Sequence, residues 1–452
     1  VNFEDTIAAI SSAPGRGAVG IVRLSGTEVP GIAASLLGRI APARRACLRN
    51  FLDARGQVID RGIAVYYPAP DSFTGEHVLE LFAHGGVLVL DLLMRRVLEL
   101  GCRAARPGEF SERAFLNGKM DIAQAEAVAD LIDAGTEAAA RAAVRSMQGE
   151  FSIRIQELQE LLTDLRVQVE AAIDFPDEEI DFLSAPAMTQ RLARVLERFG
   201  AVLSAARQGA LLKEGLTVVI AGKPNAGKSS LLNRLVGDEV AIVTDAPGTT
   251  RDVLRQQVHL DGLPLNLIDT AGLRSALDAA EAEGVRRARL EMQRADRILL
   301  VVDASAPEEA ANEDDALSGQ VPATVVMNKI DLTGDEPGLE KGSGTGEGKP
   351  PRLFVSARTG AGLDSLRAHL KASAGYLDTE SGALAARRRH LDALTRARAL
   401  VEDATQSSGA PRTLELFAED LRLAQRALGE ITGAVTSEDL LGEIFGSFCI
   451  GK

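Results

Sequence analysis

Gly222-Lys-Pro-Asn-Ala-Gly-Lys-Ser229 fits the pattern G-x-x-x-x-G-K-[ST], and its flanks supply what a phosphate loop needs. Upstream, Leu216-Thr-Val-Val-Ile-Ala221 is a β-branched apolar run suited to a buried strand. Downstream, Ser230-Leu-Leu-Asn-Arg-Leu235 has helical spacing. Gly222 and Gly227 let backbone N–H groups close around phosphate oxygens, Lys228 reaches the β and γ phosphates, and the Ser229 hydroxyl is placed to hold Mg²⁺. The expected phosphate segment is therefore Asn225, Ala226, Gly227, Lys228, Ser229 and Ser230, with Lys228 also counted among the catalytic groups.

Further motifs follow in the order of a guanine-nucleotide site. Asp269-Thr-Ala-Gly272 comes after the alternating run Leu263 to Ile268. It places Asp269 on the metal side and the Gly272 amide toward the γ-phosphate. Asn328-Lys-Ile-Asp331 comes after the apolar run Ala323 to Met327. The Asp331 carboxylate can accept from N1 and the exocyclic amine of guanine, a donor pair that adenine lacks, and an unpaired buried carboxylate would reject ATP. Asn328 and Lys329 complete that corner, and Ser356-Ala-Arg358 after Leu353-Phe-Val355 supplies the remaining loop, with Ser356 and Ala357 near the base.

Two departures from a Ras-like site carry mechanistic content. Leu273 stands where Ras-type GTPases place the glutamine that orients the attacking water. Leucine cannot do that, and the segment Leu273 to Gly284 offers Asp278, Glu281 and Glu283 instead, or else a solvated helix start. Asn225 lies inside the phosphate loop, opposite Val243-Thr-Asp-Ala-Pro-Gly-Thr-Thr-Arg-Asp252. Its oxygen could ligate a monovalent cation where other GTPases use an arginine finger, or it could bond local backbone. Thr250 is assigned to Mg²⁺ and γ-phosphate sensing, with Thr249 beside it available to the cation.

At 452 residues the prior is about three domains. No run is long enough to span a bilayer and no basic-plus-apolar leader opens the chain, so a cytoplasmic protein is expected. Cys47, Cys102 and Cys449 are far apart and not in metal-ligand spacing. The net charge of −14 argues against broad nucleic-acid coating. Arg387-Arg-Arg389 is the densest basic spot and reads as the solvated face of a helix.

Along the chain, residues 1–118 read as a mixed α/β module, with strand-like runs at Ala18 to Leu24, Gly62 to Tyr67 and His77 to Leu81 and a helix at Gly86 to Leu100. Residues 119–215 become long, charged and heptad-like, with few breakers before Asp174-Phe-Pro-Asp177. The nucleotide domain runs over 216–376, and helical periodicity resumes over 377–452. The fold class expected is multidomain α/β plus all-α, with the P-loop GTPase inserted between two halves of one helical domain. Gly338 to Lys349 and the acidic stretch Glu308 to Asp315 read as mobile surface loops.

The nucleotide motifs, the switch Thr244 to Asp252, the opening Ala13-Pro-Gly-Arg-Gly17, the run Pro107-Gly-Glu-Phe-Ser-Glu-Arg-Ala-Phe-Leu116 and the ending Phe448-Cys-Ile-Gly-Lys452 together resemble the MnmE (TrmE) family of tRNA modification GTPases. The resemblance covers the whole chain. It implies an N-terminal domain that dimerises and binds 5-formyl- or 5,10-methylene-tetrahydrofolate, with contacts from Arg23, Glu80, Lys119 and Lys452. It implies that Asn225, Thr244, Ala246 and Thr249 surround K⁺, that Ser229 and Thr250 hold Mg²⁺, and that Glu281 orients the hydrolytic water. As the ligand at Ala246 is a backbone carbonyl, side-chain identity there matters little, and Pro247 stiffens the loop. The resemblance further implies a homodimer whose GTPase domains meet in a K⁺-dependent way. A flavin-dependent partner, MnmG, joins it in a heterotetramer that installs an aminomethyl or carboxymethylaminomethyl group on C5 of the tRNA wobble uridine. Cys449 is either catalytic there or packed in a helical cleft. An alternative is a ribosome-assembly or signalling switch without covalent RNA chemistry; the Cys-Ile-Gly-Lys ending and the N-terminal module argue against it.

Overall fold

The computed structural model describes residues 5–174, 185–237, 255–269, 293, 295–306, 321–340, 350–376, 382–406, 414–435 and 438–451. The chain divides into two compact units, one of Val1–Ala129, Ser146–Arg198 and Ala393–Lys452, the other of Asp130–Arg145 and Phe199–Asp392. Among the described residues, no helix is long and apolar enough to cross a membrane.

In the first unit, β1 (Ile7–Ile10), β2 (Val19–Ser25), β3 (Cys47–Leu52), β4 (Val58–Tyr67), β5 (Val78–His84) and β6 (Arg103–Ala104) form a six-stranded sheet in the order β3-β4-β5-β2-β1-β6. The ladders are antiparallel except for β1 with β6. Alternation sets the faces: Val22 and Leu24 of β2 and Leu79 and Leu81 of β5 are buried, and Arg23 and Glu80 lie opposite each other on the other face. Helix α1 (Val29–Leu37) and helix α2 (Val87–Glu99), which buries Leu90, Leu93 and Val97, cover the apolar face.

After α3 (Glu109–Leu116), the chain turns all-helical with α4 (Ile122–Ile132), α5 (Glu137–Met147), α6 (Glu150–Asp174) and α7 (Ala185–Glu214). Helix α6 buries Ile155, Leu158, Leu162, Leu165 and Val169, a spacing of three and four that makes one apolar stripe.

In the second unit, β7 (Leu216–Ala221), α8 (Lys228–Gly237), β8 (Arg255–Leu260), β9 (Leu263–Asp269), β10 (Arg297–Asp303), β11 (Ala323–Asn328), α9 (Ile330–Thr333), β12 (Gly338–Glu340), β13 (Arg352–Phe354) and α10 (Leu363–Ser373) build a seven-stranded sheet in the order β12-β13-β11-β10-β7-β9-β8. Its five central strands are parallel, with an antiparallel strand at each edge. The central strands are buried on both faces, which is why they read as continuous apolar runs. Val218, Ile220, Leu299, Val301 and Val326 are at most 1% exposed, and each such side chain contributes about 1.5–3 kcal/mol. The expected strand over Leu216–Ala221 matches its observed bounds.

Helices α11 (Arg388–Gln406), α12 (Leu414–Thr432) and α13 (Glu438–Gly446) close the chain. Within the first unit α12 packs along α6, and α13 buries Ile444 and Phe445 with Ile122, Ala125 and Ala129 of α4. The predominantly helical reading of 119–215 and 377–452 agrees with these elements.

Two expectations are corrected. Gly338–Glu340, read as the start of a mobile loop, is an edge strand paired with Arg352–Phe354. Its ladder comes from a partner distant in sequence, which local composition does not register. Arg387 is not solvated: its side chain is 21% exposed and bonds Asp130, although Arg388 beside it is exposed. Residues Lys341 to Lys349 and Glu308 to Asp315 lie outside the described residues.

Candidate nucleotide site and N-terminal cluster

The loops after β7, β10, β11 and β13 all leave the carboxyl ends of parallel strands, where open α/β sheets bind ligands. The β10–β7 ladder runs to Leu300–Ala221, so the next residues, Val301 and Gly222, meet closely. A Cβ at Gly222 would overlap the Val301 carbonyl oxygen, and its φ of +138° lies where side-chain-bearing residues strain. The loop beyond carries Asn225 at φ 66° and Gly227 at φ 94°, left-handed backbone of the kind from which anion-binding concavities are built. Lys228, 6% exposed, donates from Nζ to the carbonyls of Gly222 and Lys223, both at 2.7 Å. Ser229 and Ser230 are exposed in the first turn of α8.

Asn328 pins this loop to the loop after β13. It is 2% exposed; Nδ2 donates to the Ala226 carbonyl at 2.9 Å, and Oδ1 accepts from the Ala357 amide at 3.0 Å. Next to it, Lys329 adopts φ 70° and donates to Asp303 Oδ2 at 2.6 Å. Burial opposes ionisation of Asp303, yet Lys329 and the Ser305 hydroxyl and amide hold its carboxyl below the ordinary value. Ser356 Oγ donates to Asp331 Oδ1 at 2.6 Å, and among the described residues Arg358 stands 3.7 Å from the second oxygen. A cavity of about 220 Å³ opens between Lys223–Ala226 and the end of β10 at Val301–Asp303 and Ala306, with exposed Asn225 in its wall.

The N-terminal cluster sits on the polar face of the first sheet. Arg23 pairs with Glu80 through Nε at 2.9 Å and Nη2 at 2.8 Å, and its guanidinium lies 5.5 Å and 5.7 Å from the Phe73 and Phe110 ring centres. Its Nη1 points to the Gly451 carbonyl at 3.5 Å. The C-terminal tail is seated by the Gly108 N–H, which donates to the Cys449 carbonyl at 3.3 Å, and by a bridge between Pro107 and Ile450. Cys449 is exposed, so it does not pack in a helical cleft. Beneath lies a buried ionic network. Arg113, fully buried, donates to Asp5 Oδ1 at 2.6 Å, to both Glu76 oxygens at 3.1 Å and to Glu109 Oε1 at 3.3 Å. Glu109, equally buried, also accepts from Arg103 at 2.6 Å and from the Arg106 amide at 2.7 Å. Burial opposes its ionisation, but these bonds outweigh it and hold its carboxyl below the usual range.

Comparison with known proteins settles the family. The model described as "GTP-binding protein TrmE N-terminus" matches residues 6–119, and the one described as "MnmE helical domain" matches residues 122–449. The tRNA modification GTPase MnmE of Methylococcus capsulatus is 56% identical over 453 residues, covering 99% of each chain. The chain belongs to the MnmE family of tRNA modification GTPases. The Pseudomonas aeruginosa member is 56% identical over 456 residues, again covering 99% of each chain, and that of Erwinia tasmaniensis is 54% identical over 460 residues, covering all of each. Among solved structures, the G domain of the T. maritima FeoB iron transporter is 28% identical, covers 35% of this chain and 98% of its own, and has a TM-score of 0.27.

Of the residues expected from sequence, the structure brings together Asn225, Ala226, Gly227, Lys228, Asn328, Lys329, Asp331, Ser356 and Ala357 around one sheet end. It also brings together Arg23, Glu80 and the tail next to Lys452. Lys119 lies beside Gly75, its Cε 3.3 Å from where a Cβ on that glycine would stand. Asp269 ends β9. Thr244, Ala246, Thr249, Thr250, Gly272, Glu281 and Lys452 lie outside the described residues, as do Asp278 and Glu283. Sequence reading missed Asp303, Phe73, Phe110, Glu76 and Arg113. The run Pro107 to Leu116 held Phe110 and Arg113 in view, yet nothing local marks them as partners of strand residues.

Proposed function

We propose that this member of the MnmE family binds and hydrolyses GTP and couples that hydrolysis to modification of C5 of the wobble uridine of tRNA. The observation that carries the reading is the Asn328 pin: one buried amide joins the phosphate loop to the loop at Ala357, with Asp331 oriented by Ser356 beside it. Full-length likeness to tRNA modification GTPases supports the tRNA assignment.

In this reading the backbone N–H groups of Asn225 to Ser229 donate to the β-phosphate. Lys228, held over the loop by its two carbonyl bonds, neutralises charge on the β and γ phosphates without having to be gathered from solvent. Asp331 accepts from N1 and the 2-amine of guanine. Ser229 and Thr250 hold Mg²⁺; the exposed hydroxyl of Ser229 at the start of α8 suits that role. Asn225, Thr244, Ala246 and Thr249 hold K⁺; the Asn225 side chain in the cavity wall offers a neutral oxygen, the donor type a monovalent cation takes. Such a cation supplies the positive charge that an arginine finger supplies elsewhere, an effect worth about 10³–10⁵ in rate. Glu281 orients the attacking water.

The N-terminal cluster is the proposed folate site. Glu80 offers an acceptor for a pterin amine, Arg23, Lys119 and Lys452 offer cations, and Phe73 and Phe110 offer ring surfaces. Bound 5-formyl- or 5,10-methylene-tetrahydrofolate supplies the one-carbon unit. Cys449, exposed on the seated tail, is the proposed catalytic thiol of that site. The protein acts as a cytoplasmic homodimer and joins the flavin-dependent partner MnmG in a heterotetramer. Its domains are 1–118 for folate and dimerisation, 119–215 and 377–452 for the helical domain, and 216–376 for the inserted GTPase. The helical-domain match over 122–449 encloses that insertion and supports it.

The test measures GTP turnover at matched ionic strength in K⁺ and in Na⁺, for wild type and Glu281→Ala. Strong activation by K⁺ that the mutant loses while still binding GTP is expected. Equal rates in both salts, or an unaffected mutant, would refute the cation-and-glutamate mechanism.

A further inference from the structure

One carboxylate holds both chain connections of the GTPase sheet. Asp130, in the last turn of α4, has a side chain only 6% exposed, and its Oδ1 accepts from Lys213 Nζ at 2.5 Å and from Arg387 Nη2 at 2.9 Å. Lys213 is on the last turn of α7, just before β7 enters the sheet; Arg387 directly precedes α11, after the sheet has been left. The two connections are also joined backbone to backbone. The Leu384 N–H donates to the Ala205 carbonyl at 3.2 Å, and α7 presents Gly209 there because a Cβ at that position would overlap the Leu384 carbonyl oxygen. Arg145, from α5, closes the third side by donating to the Ala383 carbonyl from Nη2 at 2.5 Å and from Nε at 3.2 Å.

Entry and exit are therefore one mechanical piece, and α4 is attached to it through Asp130. Nothing in the nucleotide site uses these residues. We infer that Asp130 is a positioning residue, the clasp through which nucleotide-dependent movement of the GTPase sheet reaches α4 and α11 and so couples GTP hydrolysis to uridine modification. The inference rests on the function proposed above. The physical ground is that a largely buried carboxylate bonded to two cations ties them to one point, and losing its charge removes both ion pairs at once. Coupling between sites is carried by contiguous contacts of this kind, here running from the sheet's two connections to α4.

The experiment uses the full chain with its flavin-dependent partner, unmodified tRNA, GTP and K⁺, and reads uridines modified per GTP hydrolysed, alongside GTP turnover alone and the thermal midpoint. For Asp130→Asn, the ratio falls by roughly tenfold, within the ~5–150-fold span of typical coupling, while GTP turnover without tRNA stays within about twofold. A merely structural role would lower both activities together and leave the ratio unchanged. Should Asp130→Asn not fold, Lys213→Gln, which keeps the Asp130–Arg387 pair, decides by the same ratio. An unchanged ratio in the folded variants overturns the inference. A wild-type chain that hydrolyses GTP and modifies no uridine overturns the proposed function itself, and the inference with it.

Discussion

Replacing Gly222 with Ala tests whether the phosphate loop is as tightly determined as its geometry indicates. The backbone there has φ +138°, and a methyl group would enter the space of the Val301 carbonyl oxygen on the neighbouring strand. Holding a non-glycine residue in that conformation costs about 1–3 kcal/mol, and forcing a methyl into a filled site costs about 1–3 kcal/mol more. The protein can meet this in two ways. If the loop keeps its path, global stability falls; if it moves, the cost is met when nucleotide draws it back. The sum of the two losses should be at least about 2 kcal/mol, which at ~1.4 kcal/mol per tenfold is a roughly thirtyfold weaker Kd if all of it appears in binding. Titration with a fluorescent guanosine diphosphate analogue, together with the urea midpoint, measures both parts. Losses below about 0.5 kcal/mol in both would refute the claim that contact with β10 fixes the loop.

Asp331→Asn should reverse base preference: its amide N–H would face the guanine 2-amine as a second donor but can donate to the 2-oxo group of xanthine, so affinity for the xanthine nucleotide should overtake that for GTP in paired titrations. Removing the charge of Arg113 with Arg113→Met should cost about 3–5 kcal/mol, because Asp5, Glu76 and the buried Glu109 each lose an ion pair at once. Amide exchange across Glu109–Leu116 should then quicken by at least about two orders of magnitude at ~1.4 kcal/mol per tenfold, and a change below threefold would count against the network. Burial opposes ionisation of Glu109 and Asp5, but the ion pairs with Arg103 and Arg113 outweigh it and hold their carboxyls below the ordinary values of 4.5 and 3.8. Their stabilisation is complete above those values and is lost as pH falls through the lower folded ones. The urea midpoint gap between wild type and Glu109→Gln should therefore close as pH drops below about 4.5, and a gap independent of pH would contradict the assignment.

Much of the nucleotide site was legible in sequence because each element is local. A strand, a glycine turn and a helix start follow one another without a break from Leu216 to Lys228, and Asp331, the proposed base reader, comes just after its own strand. The N-terminal site was less legible. Arg23 and Glu80 are distant in sequence and become partners only through the β2–β5 register, and Phe73 and Phe110 reach Arg23 from a loop and a helix whose local composition does not mark them. The edge strand Gly338–Glu340 was missed for the same reason, since its hydrogen bonds belong to Arg352–Phe354.

The sequence by itself determined that the chain carries a P-loop GTPase, how that domain is ordered, and to which family the whole belongs, because phosphate and guanine recognition demand particular residue types at short fixed spacings. Only the tertiary structure decided that Asn328 pins two loops, that Arg113 lies buried among three carboxylates, and that Asp130 receives both Lys213 and Arg387. Hydrogen bonds and ion pairs act over about 3 Å, and which groups come that close across tens or hundreds of residues is set by packing and strand register, not by any pattern in the neighbouring sequence.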